Sequence, residues 1–306
     1  MDIPIKGGSS QIWKEPFAGG NPGQKLFQRF WQEVKERKNQ RLRRIELPKK
    51  YGATHLVSKG FELESNFDVK GSLAFYEEAL ELEPDNVEAT LRCSKALSDI
   101  TLAPDCSKAE AQVLIKRAVE LAEQAVALDG SNVRAHLALA INLARHAVYG
   151  DTQTKVNLVR AVRVGAEKAM AMDSNEDLAV HLLGRWHNEM GSVPRIVKLA
   201  IKLFYGGLEE GSHLEARRLF EKAVAMNPSR MVHRVELGRT YLKLNMHREA
   251  EEALTAALSL EVEDINALLE KYDGEEMLKS LRRGDRKPFT GWREVPAAWI
   301  AKAIPE

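Results

Sequence analysis

Residues 238–262 read GRTYLKLNMHREAEEALTAALSLEV, and the spacing of small and apolar residues within them decides the fold. Twelve residues separate Gly238 from Ala250; Leu254 follows four on, Ala257 three on and Val262 five on. This is the pattern of two short antiparallel helices joined by a tight turn, with small residues where the axes come closest and larger apolar ones beside them. Upstream, Gly60, Ser72, Tyr76, Ala79 and Pro84 repeat the spacing, and Ala216, Phe220, Ala223 and Pro228 repeat its second half. With insertions allowed, the second-helix register returns as Ala118, Ala122, Ala125, Gly130 and as Val162, Ala166, Ala169, Ser174. The small first-helix residue is then Ser94, Ala140 or Gly184, always ten residues after the preceding breaker, as Gly238 follows Pro228.

A repeat of about 34 residues is the signature of tetratricopeptide hairpins, in which each hairpin buries its face only against its neighbours. The expected fold is all-α: a right-handed α-solenoid of about five such hairpins, with capping helices at both ends. Five aligned copies place the repeat domain at residues 53–283. It is preceded by a segment without fixed structure at 1–23 and a basic amphipathic helix at 24–52, and followed by a tail at 284–306. Each insertion falls between the two helices of a pair, so the extra chain is expected along one edge of the array, as longer helices or a shaped rim. Residues 265–283 read as a terminal cap, and Trp292, Trp299 and Ile300 of the tail are expected to fold back onto the array.

Composition restricts function more than fold. The 306 residues carry a net charge of +1, yet residues 1–50 alone carry +7. That asymmetry marks a basic arm beside a near-neutral module. Within the arm, an apolar stripe at Leu26, Phe27, Phe30, Trp31 and Val34 leads into Arg37, Arg41, Arg43 and Arg44. It serves either as a cap on the first repeat or as a surface-binding element for anionic lipid or an acidic protein. No nucleic-acid partner is expected. Cys93 and Cys106 form no metal or disulfide spacing and fit a reducing compartment. The N-terminus has no apolar secretory core, and no stretch is long and apolar enough to span a bilayer. A cytoplasmic location is expected, with a microtubule or organelle surface as the place of contact.

Catalytic patterns are lacking: there is no phosphate-cradling glycine loop, nucleophile elbow, HExxH or CxxC. His181 and His187 are six apart and His136 and His146 ten apart, so neither pair sits at the i, i+4 spacing that chelates zinc. They are read as surface or interhelix residues. The chain is accordingly expected to be non-enzymatic, with no cofactor and no metal.

Recognition is therefore assigned to the concave face. The residue after each small first-helix position points there in this fold class, giving Phe61, Lys95, Ile141, Arg185 and Arg239, with Arg92, Arg134 and Arg145 close by. Lys95, Arg134, Arg185 and Arg239 are the expected groove residues, suited to an acidic peptide or a phospholipid headgroup. The Lys/Asn set that clamps a chaperone's C-terminal carboxylate has no match. The most apolar insertion, VPRIVKLAIKLFY at 193–205, either packs as a helix, touches a membrane, or lines an apolar cavity through Ile196, Leu199, Leu203 and Phe204.

The runs HLLGRWHNEMGSVPRIVKLAIKLFYGG (181–207), LEARRLFEKAVAMNPS (214–229) and VELGRTYLKLNMHREAEEAL (235–254) resemble the regulator of microtubule dynamics family. The resemblance covers roughly residues 53–282. It implies a non-enzymatic tetratricopeptide-like protein associated with microtubules and spindle poles. For some members it implies a role at membrane contacts, where the repeat domain binds or moves phospholipids. The expected partner is thus tubulin or another acidic protein surface, with a phospholipid as the alternative. The membrane-tethered members have a transmembrane segment that this chain lacks.

Overall fold

A computed structural model describes residues 52–103, 105–285, 295, 296 and 299. The segment expected at 1–23 and all but Gly52 of the helix expected at 24–52, with Arg37, Arg41, Arg43 and Arg44, lie outside the described residues, as does most of the tail. Among the described residues there are twelve helices and no strand. They are α1 (Ala53–Ser65), α2 (Val69–Leu82), α3 (Val87–Ile100), α4 (Lys108–Leu128), α5 (Val133–Ala147) and α6 (Thr152–Met172). They continue as α7 (Asp177–Ser192), α8 (Arg195–Tyr205), α9 (His213–Met226), α10 (Met231–Lys243), α11 (His247–Leu258) and α12 (Ile265–Arg282).

The pairs α1/α2, α3/α4, α5/α6, α7/α9 and α10/α11 are the five hairpins, and α12 packs on α10 and α11 as the terminal cap. Of the fifteen second-helix register residues, fourteen have no solvent exposure and Val162 keeps 4%. The small first-helix residues lie at the helix crossings. A Cβ added at Gly60 would lie 2.4 Å from the Tyr76 ring, and one at Gly238 would lie 2.6 Å from Leu254. These are the same two register positions in the first and last hairpins, so the close approach itself requires glycine there. Every breaker precedes the next helix by three residues: Pro84 before Val87, Gly130 before Val133, Ser174 before Asp177, Pro228 before Met231 and Val262 before Ile265. The intervening Asn86, Asn132 and Asp264 cap their helices by accepting from the backbone N–H groups of Ala89, Ala135 and Ala267.

The insertions take two forms. Helices α2, α9 and α11 each begin three residues before the first register position, whereas α4 and α6 begin ten before it. The insertions of the second and third hairpins each supply seven extra helical residues, about two turns, at the N-terminus of the second helix. Ser107 supports the first extension through a reciprocal capping box with Glu110, and Asp151 caps the second through Thr154. The insertion of the fourth hairpin contains Pro194, Gly206 and Gly207, the two glycines with positive φ. Those breakers keep it from extending α9, and it forms the separate helix α8. The indole Nε1–H of Trp299 donates to Glu275 at 3.2 Å and its ring stands edge-on to Tyr272, so at that residue the tail lies against α12.

Candidate functional site, a bridged concave cavity

The first helices α3, α5 and α7 form the inner wall of the array, and the start of α12 reaches across to them. Lys95 on α3 lies 2.8 Å from Glu64, 2.7 Å from Asp99 and 3.3 Å from Asp264. Asn266 donates to Asp99 at 3.0 Å and accepts from Arg145, which also pairs with Asp99 at 3.1 Å. The Asn266–Asp99 bond joins residues 167 positions apart in sequence. The concave face is consequently a bridged cavity of about 1280 Å³. That exceeds the roughly 300–1,000 Å³ of ordinary small-molecule pockets. Its wall is apolar where Leu137, Ile141, Leu182 and Trp186 line it, and its rim is charged.

The charges are paired. Arg92 bonds Glu88 and Glu64, Arg134 bonds Glu88 at 2.8 Å, and Arg230 pairs with Asp177 at 2.8 Å. Among the described residues, nine carboxylates and six Lys/Arg side chains line the cavity, so they do not form a basic trough. Burial alone would lower the Lys95 pKa, but Asp99, Asp264 and Glu64 outweigh it and raise the value. Burial likewise disfavours ionised Asp99, and Lys95 and Arg145 reverse that, so its pKa falls.

Beneath the cavity sits a second cluster. Arg239, at the same register position as Lys95, is fully buried among Glu236 at 3.2 Å, Asp273 at 3.0 Å and Glu270 at 3.6 Å. Burial, then repulsion from Glu236, pushes the Glu270 pKa up to about 8 against the pull of Arg239 and Arg185. Among the described residues Glu270 Oε2 makes no hydrogen bond, and Arg239 lies 3.6 Å from it, so its burial is only partly compensated.

A third cluster joins α7 to α10. His233 Nε2 lies 2.7 Å from Asp177 Oδ2, and its Nδ1 lies 3.0 Å from His181 Nδ1. A carboxylate only accepts, so His233 donates from Nε2 and its Nδ1 accepts from the Nδ1–H of His181. Burial, followed by the charges of His233, Arg185 and Arg230, holds the His181 pKa well below its usual value; burial also lowers that of His233, with Asp177 opposing. Both rings are therefore neutral in this network.

Against the sequence expectations, Lys95, Arg134 and Arg185 line the cavity, with Phe61 and Ile141. Arg239 does not: α12 covers it, and its charge is engaged by three buried carboxylates. The apolar-cavity assignment also changes. Ile196 is 73% exposed, Leu199 52%, Leu203 72% and Phe204 76%, and none lines the cavity. Helix α8 rests on the body through Ile201 and leaves those four side chains facing outward. Residues that sequence reasoning missed are Glu64, Asp264 and Asn266, which complete the rim, and the contact between His181 and His233. For the histidines the sequence held no signal. His181 lies seven residues after Ser174 and His233 only five after Pro228, so no shared register position pairs them.

A sequence model of the family described as Regulator of microtubule dynamics protein 1-3 matches residues 56–282. Regulator of microtubule dynamics protein 1 of Mus musculus is 27% identical over 164 residues, covering 53% of this chain and 54% of the relative. The Bos taurus protein of that name is 24% identical over 212 residues, covering 66% and 67%. The chain thus spans about half the length of the first of these relatives. Among solved structures, a thermophilic TPR protein of Thermus thermophilus superposes with a TM-score of 0.57 at 14% identity, covering 73% of this chain and 99% of that one. This last likeness concerns the fold alone.

Proposed function

This chain belongs to the regulator of microtubule dynamics family, and on that footing we propose that it is a non-enzymatic helical-repeat adaptor for microtubules or another acidic protein surface. The observation that carries the reading is the bridged cavity, with its apolar wall and ion-paired rim. A cavity with more carboxylates than cations does not select an acidic partner by net attraction. It suits an extended protein segment whose apolar side chains reach Ile141 and Trp186 while its polar groups exchange with the rim pairs. Long-range attraction to an acidic surface falls instead to the basic arm, through Arg37, Arg41, Arg43 and Arg44. The names of the relatives support microtubules as the surface, and a cytoplasmic, microtubule-side location follows from the same reading.

Co-pelleting of the full chain with stabilised microtubules tests both parts. R41E/R43E/R44E is expected to reduce pelleting about tenfold or more at low salt, and the wild-type signal to fall steeply as salt rises. Ile141→Glu is expected to weaken pelleting without changing that salt dependence. If both variants pellet like the wild type, the reading fails. The apolar wall also favours a second reading, a phospholipid held in the cavity. Native mass spectrometry of the purified chain would then show a lipid adduct, and a bare polypeptide mass would count against it.

A further inference from the structure

Helix α8 turns its apolar side away from the protein. Among the described residues, eleven large apolar side chains are exposed, and five of them (Ile196, Val197, Leu199, Leu203 and Phe204) belong to this one helix of 11 residues. At about 100° per residue they span an arc of roughly 160°. Buried Ile201 lies outside that arc, and so do Arg195, Lys198 and Lys202, which cluster on the remaining side of the helix beyond one edge of the arc. A helix packed on a globular body ordinarily shows the reverse arrangement. Arg160 holds the C-terminal end of α8, donating to the backbone carbonyls of Tyr205 and Gly207. That position also suits its charge to the helix dipole.

The charges identify the occupant. No acidic residue occurs between Glu189 and Glu209, so the surface carries three cations and no carboxylate of its own. A second copy of this chain, or its own basic segment at 24–46, would bring cations against cations. An anionic bilayer offers both an apolar layer for Leu203 and Phe204 and phosphates for Arg195, Lys198 and Lys202. No described helix is long and apolar enough to cross a membrane, so the contact is peripheral. We propose that α8 is a membrane-docking element that inserts its outward apolar face into the headgroup region of an anionic lipid surface.

Flotation of the full chain with vesicles tests this. The chain is expected to float with phosphatidylcholine vesicles containing phosphatidylserine and not with phosphatidylcholine alone. L203E/F204E, which alters only exposed side chains, is expected to reduce binding about tenfold or more with an unchanged circular dichroism spectrum. R195E/K198E/K202E is expected to reduce it on the order of a hundredfold, as the loss of three interfacial cations implies. Flotation that L203E/F204E leaves intact would assign the binding to another surface and overturn the proposal. So would a failure of the wild type to float, or a dimer in sedimentation equilibrium that L203E/F204E dissolves.

Discussion

Lys95 and Arg239 occupy the same place in their repeats, one residue after Ser94 and Gly238, and each faces three carboxylates. Lys95 stands at the cavity edge, where Arg92 also pairs with Glu64 and Arg145 with Asp99. Arg239 is sealed beneath α12, and further cationic help comes from Arg185, 3.9 Å from Glu270. The consequence is a proton: Glu270 stays neutral near pH 7 where Asp99 stays ionised. One register position therefore yields an ion network that opens on the cavity in one repeat and a sealed, proton-balanced cluster in another. The covering helix, not the repeat pattern, makes the difference.

The largest expected effect breaks that symmetry directly. Arg239→Met leaves Glu236 and Asp273 buried without this arginine and should cost about 3–5 kcal/mol in denaturant unfolding. Lys95→Met, with Arg92 still paired to Glu64 and Arg145 to Asp99, should cost less, about 1–2 kcal/mol. Equal costs would mean that burial does not separate the two sites.

Glu270 sharpens the comparison through pH. The folded chain holds its proton up to about pH 8, whereas the ordinary value is 4.5. Between those values the folded state binds more protons than the unfolded one, so stability falls as pH rises. From about pH 6.5 to 8 the wild type should lose roughly 1–2 kcal/mol relative to Glu270→Gln. The buried histidines, whose pKa values are lowered, act alike in both proteins, so the difference between the two unfolding curves isolates Glu270.

The smallest effect concerns the two uninterrupted hairpins. Both turn through a left-handed residue seven positions after the crossing glycine, Phe67 with φ 61° and Asn245 with φ 58°. Asparagine tolerates that conformation better than phenylalanine does. Phe67→Asn should therefore raise stability by up to about 1 kcal/mol, read as a higher denaturant midpoint.

The repeat was legible because it is local and periodic: glycine and alanine spacings report helix crossings directly. Direction was legible for Lys95, Arg134 and Arg185, since first-helix register sets which side chains face inward. The fate of Arg239 was not, because it depends on α12, whose carboxylates follow no repeat spacing. The orientation of α8 was equally hidden. Its sequence shows an apolar arc with cations on the remaining side, but an arc facing inward and one facing outward have the same periodicity. Only the mounting through Ile201 and Arg160 distinguishes them.

The closure of the array across its concave face is the claim on which the cavity rests, and a zero-length carbodiimide cross-link tests it. Such a reagent joins an amine to a carboxylate only at ion-pair distance. Lys95 lies 2.8 Å from Glu64 and 3.3 Å from Asp264. Mass spectrometry of the digested full chain should find Lys95 joined to both. A Lys95–Glu64 link without any Lys95–Asp264 link would show that α12 does not reach across, and the bridged cavity would have to be abandoned.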